Sequence, residues 1–272
     1  MTIRFWGVRG SIATPSPRHV RYGGNTSCVE VSIGDETIIF DSGTGIRPLG
    51  HSIRKRGINR AHLLLSHCHW DHINGFPFFS PAFHPGFDFH VMAGHLSEQG
   101  GIRSVLSQQM SHPVFPVPIE IMKAQMAFED FRAADSFTLA PGIRIRTAPL
   151  NHPDRATGYR IEHGGKSFCY VTDTEHRPEG PDQAILGLIE GADLVVYDST
   201  YTDDEYPKFV GWGHSTWQEG VRLCRAANVK RLAIFHHDPE HTDDVMDRIA
   251  ADAAVEWQNA FVSREDMIVT LD

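Results

Sequence analysis

The sequence predicts an α+β fold in which two β-sheets pack together with helices outside. Three features predict it. Strand-like apolar runs dominate each half of the 272 residues, and helical patterns follow them. Hydrophobic residues make up 41% and charged residues 22%, which is enough apolar material for a sizeable core. No low-complexity linker, charge block or fixed-period repeat divides the chain, so residues 1–272 read as one domain.

The elements follow in order. VEVSIGDETIIFDSG (29–43) is two alternating runs joined by a Gly-Asp turn, a predicted hairpin. GIRPLGHSIRKRG (45–57) carries a helical pattern, and AHLLLS (61–66) is a buried strand by its continuous apolar run. FDFHVMAG (87–94) is a further strand, residues 95–110 are partly helical, and HPVFPVPIE (112–120) is proline-punctuated loop. A second series of strands covers 143–150, 158–165, 166–173 and 192–199. TWQEGVRLCRAAN (216–228) is a helix, with Ser215 and Gln218 spaced for a capping box. RLAIFHH (231–237) is a strand and residues 243–260 a helix.

Composition narrows the function. A formal charge of −9 with no Lys/Arg-rich arm disfavours a long polynucleotide partner. No apolar stretch approaches the ~20 residues of a spanning helix, and MTIRFWGVRG holds no secretory leader, so a cytoplasmic protein without a membrane partner is expected. Cys28, Cys68, Cys169 and Cys224 form no C-x-x-C pair and read as reduced thiols. The 17 histidines are the unusual number, and neutral imidazole is the commonest metal ligand.

The histidines concentrate where a strand ends. In LLLSHCHWDH (63–72), His67 and His69 sit two apart and point the same way on an extended chain. Asp71 and His72 lie where the chain turns out of the strand. Three imidazoles and a carboxylate suit zinc or a similar borderline cation. The alternative is a His-rich surface turn. The same chemistry recurs at later strand ends: His152 in APLNHP, Asp173 in YVTDTE, His236 and His237 in LAIFHHDP. Alone, each reads more simply as a loop residue. Four strand ends converging on one rim would build a two-metal site.

H-x-H-x-D-H followed by His, Asp and His at strand ends resembles the metallo-β-lactamase superfamily of hydrolases, over nearly the whole chain. The resemblance implies a four-layer αββα sandwich with the site at one edge of the two sheets. It implies that His67, His69 and His152 hold one metal, that Asp71, His72 and His236 hold a second, and that Asp173 bridges the pair. His236 is preferred to His237 because it directly follows the apolar run. Zinc is the default for both ions, and the same donors accept manganese or iron. The H-x-E-x-D pattern, which resembles the diiron oxygen-reducing branch, is absent, and that favours hydrolysis.

GWGHST (211–216), standing after DLVVYDSTY (193–201), is similar to the phosphodiesterase branch that includes ribonuclease Z and small cyclic-phosphate phosphodiesterases. The resemblance implies that His214 sits by the metals, oriented by Asp198. Diester hydrolysis needs a nucleophile, charge neutralisation and a proton for the leaving oxygen, and a protonated His214 answers the last two. The catalytic residues expected are Asp71, His214 and Asp198. The simpler reading is that His214 caps a loop and Asp198 ends a strand.

RFWGVRGSIATPSPRHVRYGGNTSCVEV also resembles a set of small uncharacterised members of the superfamily. Gly7, Gly10, Gly23 and Gly24 allow a tight loop beside the site, and Arg9 and Asn25 either reach the substrate or, more simply, hold that loop. Asp41 reads as a supporting carboxylate, Cys68 as packing, and Ser215 and Thr216 as helix capping. One departure stands out: the chain has no basic protruding arm of the kind ribonuclease Z uses on tRNA. Residues 112–131 read as an apolar lid instead. The expected substrate is therefore a small cyclic or nucleotide-like phosphodiester and not folded RNA, and nothing in the sequence speaks against a homodimer. Two alternatives are a metal-dependent ester, thioester or lactone hydrolase, and a non-catalytic metal-binding interaction module.

Overall fold

The computed structural model describes residues 1–96 and 100–272. The first half supplies β1 (Thr2–Gly7), β2 (Cys28–Ile33), β3 (Glu36–Phe40), α1 (Ile46–Arg56), β4 (Arg60–Leu65), α2 (Trp70–Ile73), β5 (Asp88–Ala93), α3 (Ile102–Gln109) and β6 (Gln125–Asp130). The second supplies β7 (Ser136–Ala140), β8 (Ile143–Leu150), β9 (Ala156–His163), β10 (Lys166–Val171), α4 (Gln183–Ile189), β11 (Leu194–Asp198), α5 (Trp217–Ala226), β12 (Leu232–Phe235), α6 (Asp243–Glu256), β13 (Ala260–Val262) and β14 (Ile268–Thr270).

These strands form two seven-stranded sheets, ordered β14-β1-β2-β3-β4-β5-β6 and β13-β12-β11-β10-β9-β8-β7. Strands β3 to β6 run parallel, as do β10 to β13, and helices fill the crossovers between them. One apolar cluster lies between the sheets and includes Phe5, Phe40, Leu64, Tyr159, Tyr170 and Phe235. A second joins the outer face of the first sheet to α1 and α3, and a third joins the second sheet to α4, α5 and α6. The result is the four-layer αββα sandwich.

Helix α1 shows how local sequence builds a layer. Ile46, Leu49 and Ile53 recur on one face and are fully buried, each contributing about 1.5–3 kcal/mol. Arg54, Lys55 and Arg56 occupy its last turn, where the helix dipole favours cations. Gly57, at φ 71°, ends it by donating its N–H to the Arg54 and Ile53 carbonyls.

Two local readings are corrected. The N-cap of α5 is Thr216, whose hydroxyl accepts from the Glu219 N–H at 3.1 Å. Residue 216 is still extended and bridges to Tyr201, so the helix starts one residue later than the Ser215–Gln218 spacing predicts. Ser215 instead accepts from the buried Tyr197 hydroxyl at 3.0 Å. Residues 112–131 form no lid, because Gln125–Asp130 pairs with β5 as an edge strand and Ile119 and Met122 pack into the outer cluster of the first sheet. The helical reading of 95–110 narrows to α3, with residues 97–99 outside the described ones. All four cysteines are free thiols. Among the described residues no helix is long and apolar enough to cross a membrane.

Candidate metal centre

A parallel strand delivers every residue after its last rung to the same edge of its sheet. Asp41 follows β3, His67 and His69 follow β4, His152 follows β8, Asp173 follows β10, Asp198 ends β11 and His236 follows β12. The two sheets meet at this edge, and the structure brings the predicted residues together there. His67, His69 and His152 form one group whose ligand atoms all lie within 4.8 Å of each other. Asp71, His72, Asp173 and His236 form a second.

The second group has the spacing of a coordination shell. His72 Nε2 lies 3.2 Å from Asp71 Oδ2, 3.2 Å from Asp173 Oδ1 and 3.3 Å from His236 Nε2. His236 Nε2 lies 3.2 Å from Asp71 Oδ2 and 3.3 Å from Asp173 Oδ1. Ligands about 2.0–2.1 Å from a tetrahedral ion are separated by about 3.4 Å. His72 Nδ1 donates to Asp41 Oδ2 at 2.7 Å, so Nε2 is the atom turned toward the carboxylate oxygens, where a proton or a metal cation offsets their charge. In the first group, His67 Nε2 is buried with no hydrogen-bond partner. Asp173 Oδ2 lies 3.7 Å from both His67 Nε2 and His152 Nε2, so its carboxylate spans the two groups. The donors fit divalent metal.

Supporting contacts fix the donors. Asp41 also accepts from the Ser66 N–H at 2.7 Å, the Ser66 hydroxyl at 2.8 Å and the Tyr170 hydroxyl at 2.9 Å. His152 Nδ1 donates to the Gly213 carbonyl at 2.7 Å, freeing its Nε2. Asp41, Asp173 and His236 adopt positive φ of 59°, 58° and 63°, a sparsely populated region that clusters at functional sites. His236 also needs Gly10, because a Cβ there would lie 2.4 Å from the imidazole. His237 turns away, its Nε2 donating to the Ser263 carbonyl at 2.9 Å.

The electrostatics favour positive charge at the centre. Burial alone would raise Asp71 and Asp173, but His72 and His236 hold both well below the usual carboxylate range. Burial would lower His72, yet Asp173, Asp71 and Asp41 push it well above the usual imidazole range. Burial keeps His67 and His152 down.

His214 stands beside the cluster. Its Nδ1 is 3.0 Å from Asp198 Oδ2 and 3.9 Å from Asp173 Oδ2, and its ring stacks on that of His236 at 4.9 Å. Burial opposes its charge, but Asp198 raises it to about 9. Asp198 is itself fixed by the Thr174 N–H at 3.0 Å and the Thr200 hydroxyl at 2.8 Å. Arg9 and Asn25 do not reach the cluster. Arg9 is fully buried and donates to the Gly23, Asp238 and His241 carbonyls, and Asn25 binds Glu265. They hold the glycine loop, which places the Ser11 N–H 2.8 Å from Asp71 Oδ2. Sequence reasoning passed over Glu175, which accepts from the Gly211 and Gly213 N–H groups at 2.7 and 2.9 Å and so shapes the His214 loop. Only its place two residues after Asp173 hinted at this.

The family model for the beta-lactamase superfamily domain matches residues 36–237, about three-quarters of the chain. The chain belongs to that family. Ribonuclease Z of Haloarcula marismortui is 23% identical over 284 residues, covering 87% of this chain and 86% of the relative. Among solved structures, Zn(2+)-bound PqqB from Methylobacterium extorquens superposes with a TM-score of 0.74 at 16% identity, covering 100% of both chains. A diphosphatase of the PhnP family superposes with a TM-score of 0.71 at 16% identity, covering 100% of this chain and 98% of the other. At these identities the superpositions show a shared fold.

Proposed function

We propose that this member of the beta-lactamase superfamily is a binuclear metal-dependent phosphodiesterase acting on a small cyclic or nucleotide-like diester. One observation carries the reading: the His214–Asp198 pair, joined at 3.0 Å, stands against two donor groups, with Asp173 of the second lying 3.7 Å from His67 and His152 of the first. His67, His69 and His152 would hold one ion, and Asp71, His72 and His236 the other, with Asp173 between them. Zinc is the first choice, manganese or iron the alternatives. Two such ions supply Lewis acidity toward the phosphoryl oxygens and lower the pKa of water.

The chain's own residues do the rest. Asp41 holds His72 in the tautomer that presents Nε2, and the Gly213 carbonyl does the same for His152. Asp71 accepts the Ser11 N–H, which ties the glycine loop to the site. His214, held protonated by Asp198, donates a proton to the departing oxygen. Likeness to ribonuclease Z supports diester chemistry. The −9 charge supports a small substrate over folded RNA. A cytoplasmic location agrees with this chemistry.

The test is the initial rate on bis(p-nitrophenyl) phosphate for isolated, chelator-stripped and remetallated protein. Activity lost on stripping and regained with zinc or manganese is expected. A fully metallated protein without diester turnover, but active on carboxylic esters or lactones, would overturn the reading.

A further inference from the structure

The loops that carry the donor groups also hold exposed apolar side chains that neither the fold nor the proposed chemistry uses. Trp70 is 77% exposed although it lies between His69 and Asp71. Trp212 is 63% exposed and precedes His214 by two residues. Ile12, 62% exposed, follows Ser11, whose N–H donates to Asp71. A single exposed apolar residue needs no explanation. Three on separate segments, one at the start of α2 and two on loops, each within two residues of one buried polar cluster or its direct contact, define a surface around that cluster.

Ring contacts place the Trp212 indole, and chain position places Trp70. From the cluster outward, the rings of His236 and His214 stack at 4.9 Å, and Tyr201 meets His214 edge-on at 6.2 Å. Phe209 stacks on Tyr201 at 4.4 Å with an interplanar angle of 4°, and Trp212 meets Phe209 edge-on at 5.5 Å. A continuous row of rings thus runs from the second donor group to the surface. On the other side, Gly213, next to Trp212, accepts from His152 Nδ1, and His152 Nε2 lies 3.0 Å from Nδ1 of His69, next to Trp70. The two indoles are chain neighbours of the residues at either end of this short path across the first donor group.

We propose that Trp70 and Trp212 form an aromatic platform at the mouth of the site that stacks the nucleobase of a nucleotidyl diester. The inference rests on the phosphodiesterase reading and names its substrate class. Every base offers a π-face, and stacking on an aromatic side chain needs no cation. That suits a chain of formal charge −9. The packed row behind Trp212 holds the ring ready, so little side-chain freedom is lost on binding.

Two esters with the same leaving group test this: thymidine 5′-(p-nitrophenyl phosphate) and methyl p-nitrophenyl phosphate. The metallated protein is expected to favour the thymidine ester by about tenfold or more in kcat/KM, chiefly through KM. Trp70→Ala and Trp212→Ala should each reduce that preference several-fold, and Trp→Phe should restore part of it. The inference is overturned if the wild type treats both esters alike, or if the alanine variants slow both by one factor. It is also overturned if those variants dissociate a dimer in sedimentation while keeping the preference, for then the surface joins two copies. If the wild type cleaves neither ester, the phosphodiesterase reading falls, and fluorescence decides the platform alone. Quenching of tryptophan emission by thymidine monophosphate that weakens in both alanine variants supports it, and no quenching in the wild type overturns it.

Discussion

Replacing Asp198 by Asn is expected to separate proton handling by His214 from the rest of the site. Asp198 is fully buried and lies 3.0 Å from His214 Nδ1. It also accepts the Thr174 N–H at 3.0 Å, the Thr200 N–H at 3.2 Å and the Thr200 hydroxyl at 2.8 Å. Burial opposes charge on His214, and Asp198 is the main group that raises it to about 9 against an ordinary 6.5. Asn keeps the shape and removes the charge, so His214 is lowered from about 9, Asp173 and Asp71 remaining as weaker supports against burial. The protonated fraction at pH 7.5 falls accordingly. Loss of a positioned acid costs about 10²–10⁴ in rate where the leaving group needs a proton. The assay compares kcat on bis(p-nitrophenyl) phosphate with kcat on a nucleoside 2′,3′-cyclic phosphate, whose leaving oxygen is an alkoxide. The cyclic diester should slow by about 100-fold or more, and the p-nitrophenyl ester far less, because p-nitrophenolate leaves unaided. The Asn amide must turn its N–H₂ toward one of these donors, costing roughly 1–3 kcal/mol of stability, so metal content and melting temperature are measured alongside. A variant that keeps its metals and its cyclic-diester rate within about twofold refutes the acid role.

Other substitutions bear on the donor groups and on stability. Asp41→Asn removes the carboxylate that orients His72 at 2.7 Å, and should weaken metal binding by about 10–100-fold in a chelator competition. His236→Ala should lower bound metal from two ions to one per chain by elemental analysis, whereas His237→Gln, altering a contact to the Ser263 carbonyl, should keep two. Below about pH 5 the donor imidazoles take up protons and metal should dissociate, an activity loss that added zinc shifts to lower pH. Glu205 is held down to about 2, burial opposing and His241 and Thr202 prevailing. Because its folded value is depressed, its contribution is complete above the ordinary 4.5 and is lost as pH falls toward 2. The pair is partly exposed, so the effect is under about 1 kcal/mol. The melting-temperature gap between wild type and Glu205→Gln should narrow as pH falls from about 5 toward 2.

Much of this was legible in the sequence because strand ends carry the chemistry. The continuous apolar runs at 61–66, 166–171 and 231–235 fixed where His67, Asp173 and His236 would emerge, and the parallel pairing of their strands put them on one edge. Choosing His236 over His237 required only that the first residue past the run faces the site, and the positive φ of 63° at His236 is how the backbone achieves it. The edge strands were harder to read. β6 reads QMAFED, and its side chains are largely exposed or half-buried, so it lacks the apolar run that marks a central strand. β13 and β14 have three residues each, too short for a period-2 pattern to stand out. α4 has seven residues with Gly187 inside, and its Asp182 cap was its only clear signal. Contacts between distant segments, such as Glu175 with Gly211 and Gly213 or Tyr170 with Asp41, depend on how the layers stack, which no local pattern encodes.

The most direct test is to titrate metal-free protein with zinc while following both bound metal and bis(p-nitrophenyl) phosphate hydrolysis. Uptake of two ions per chain is expected, with turnover negligible in the stripped protein and completed only by the second ion. Saturation at one ion with full activity, or turnover that survives verified removal of metal, would contradict a binuclear hydrolase built on the two groups that Asp173 adjoins.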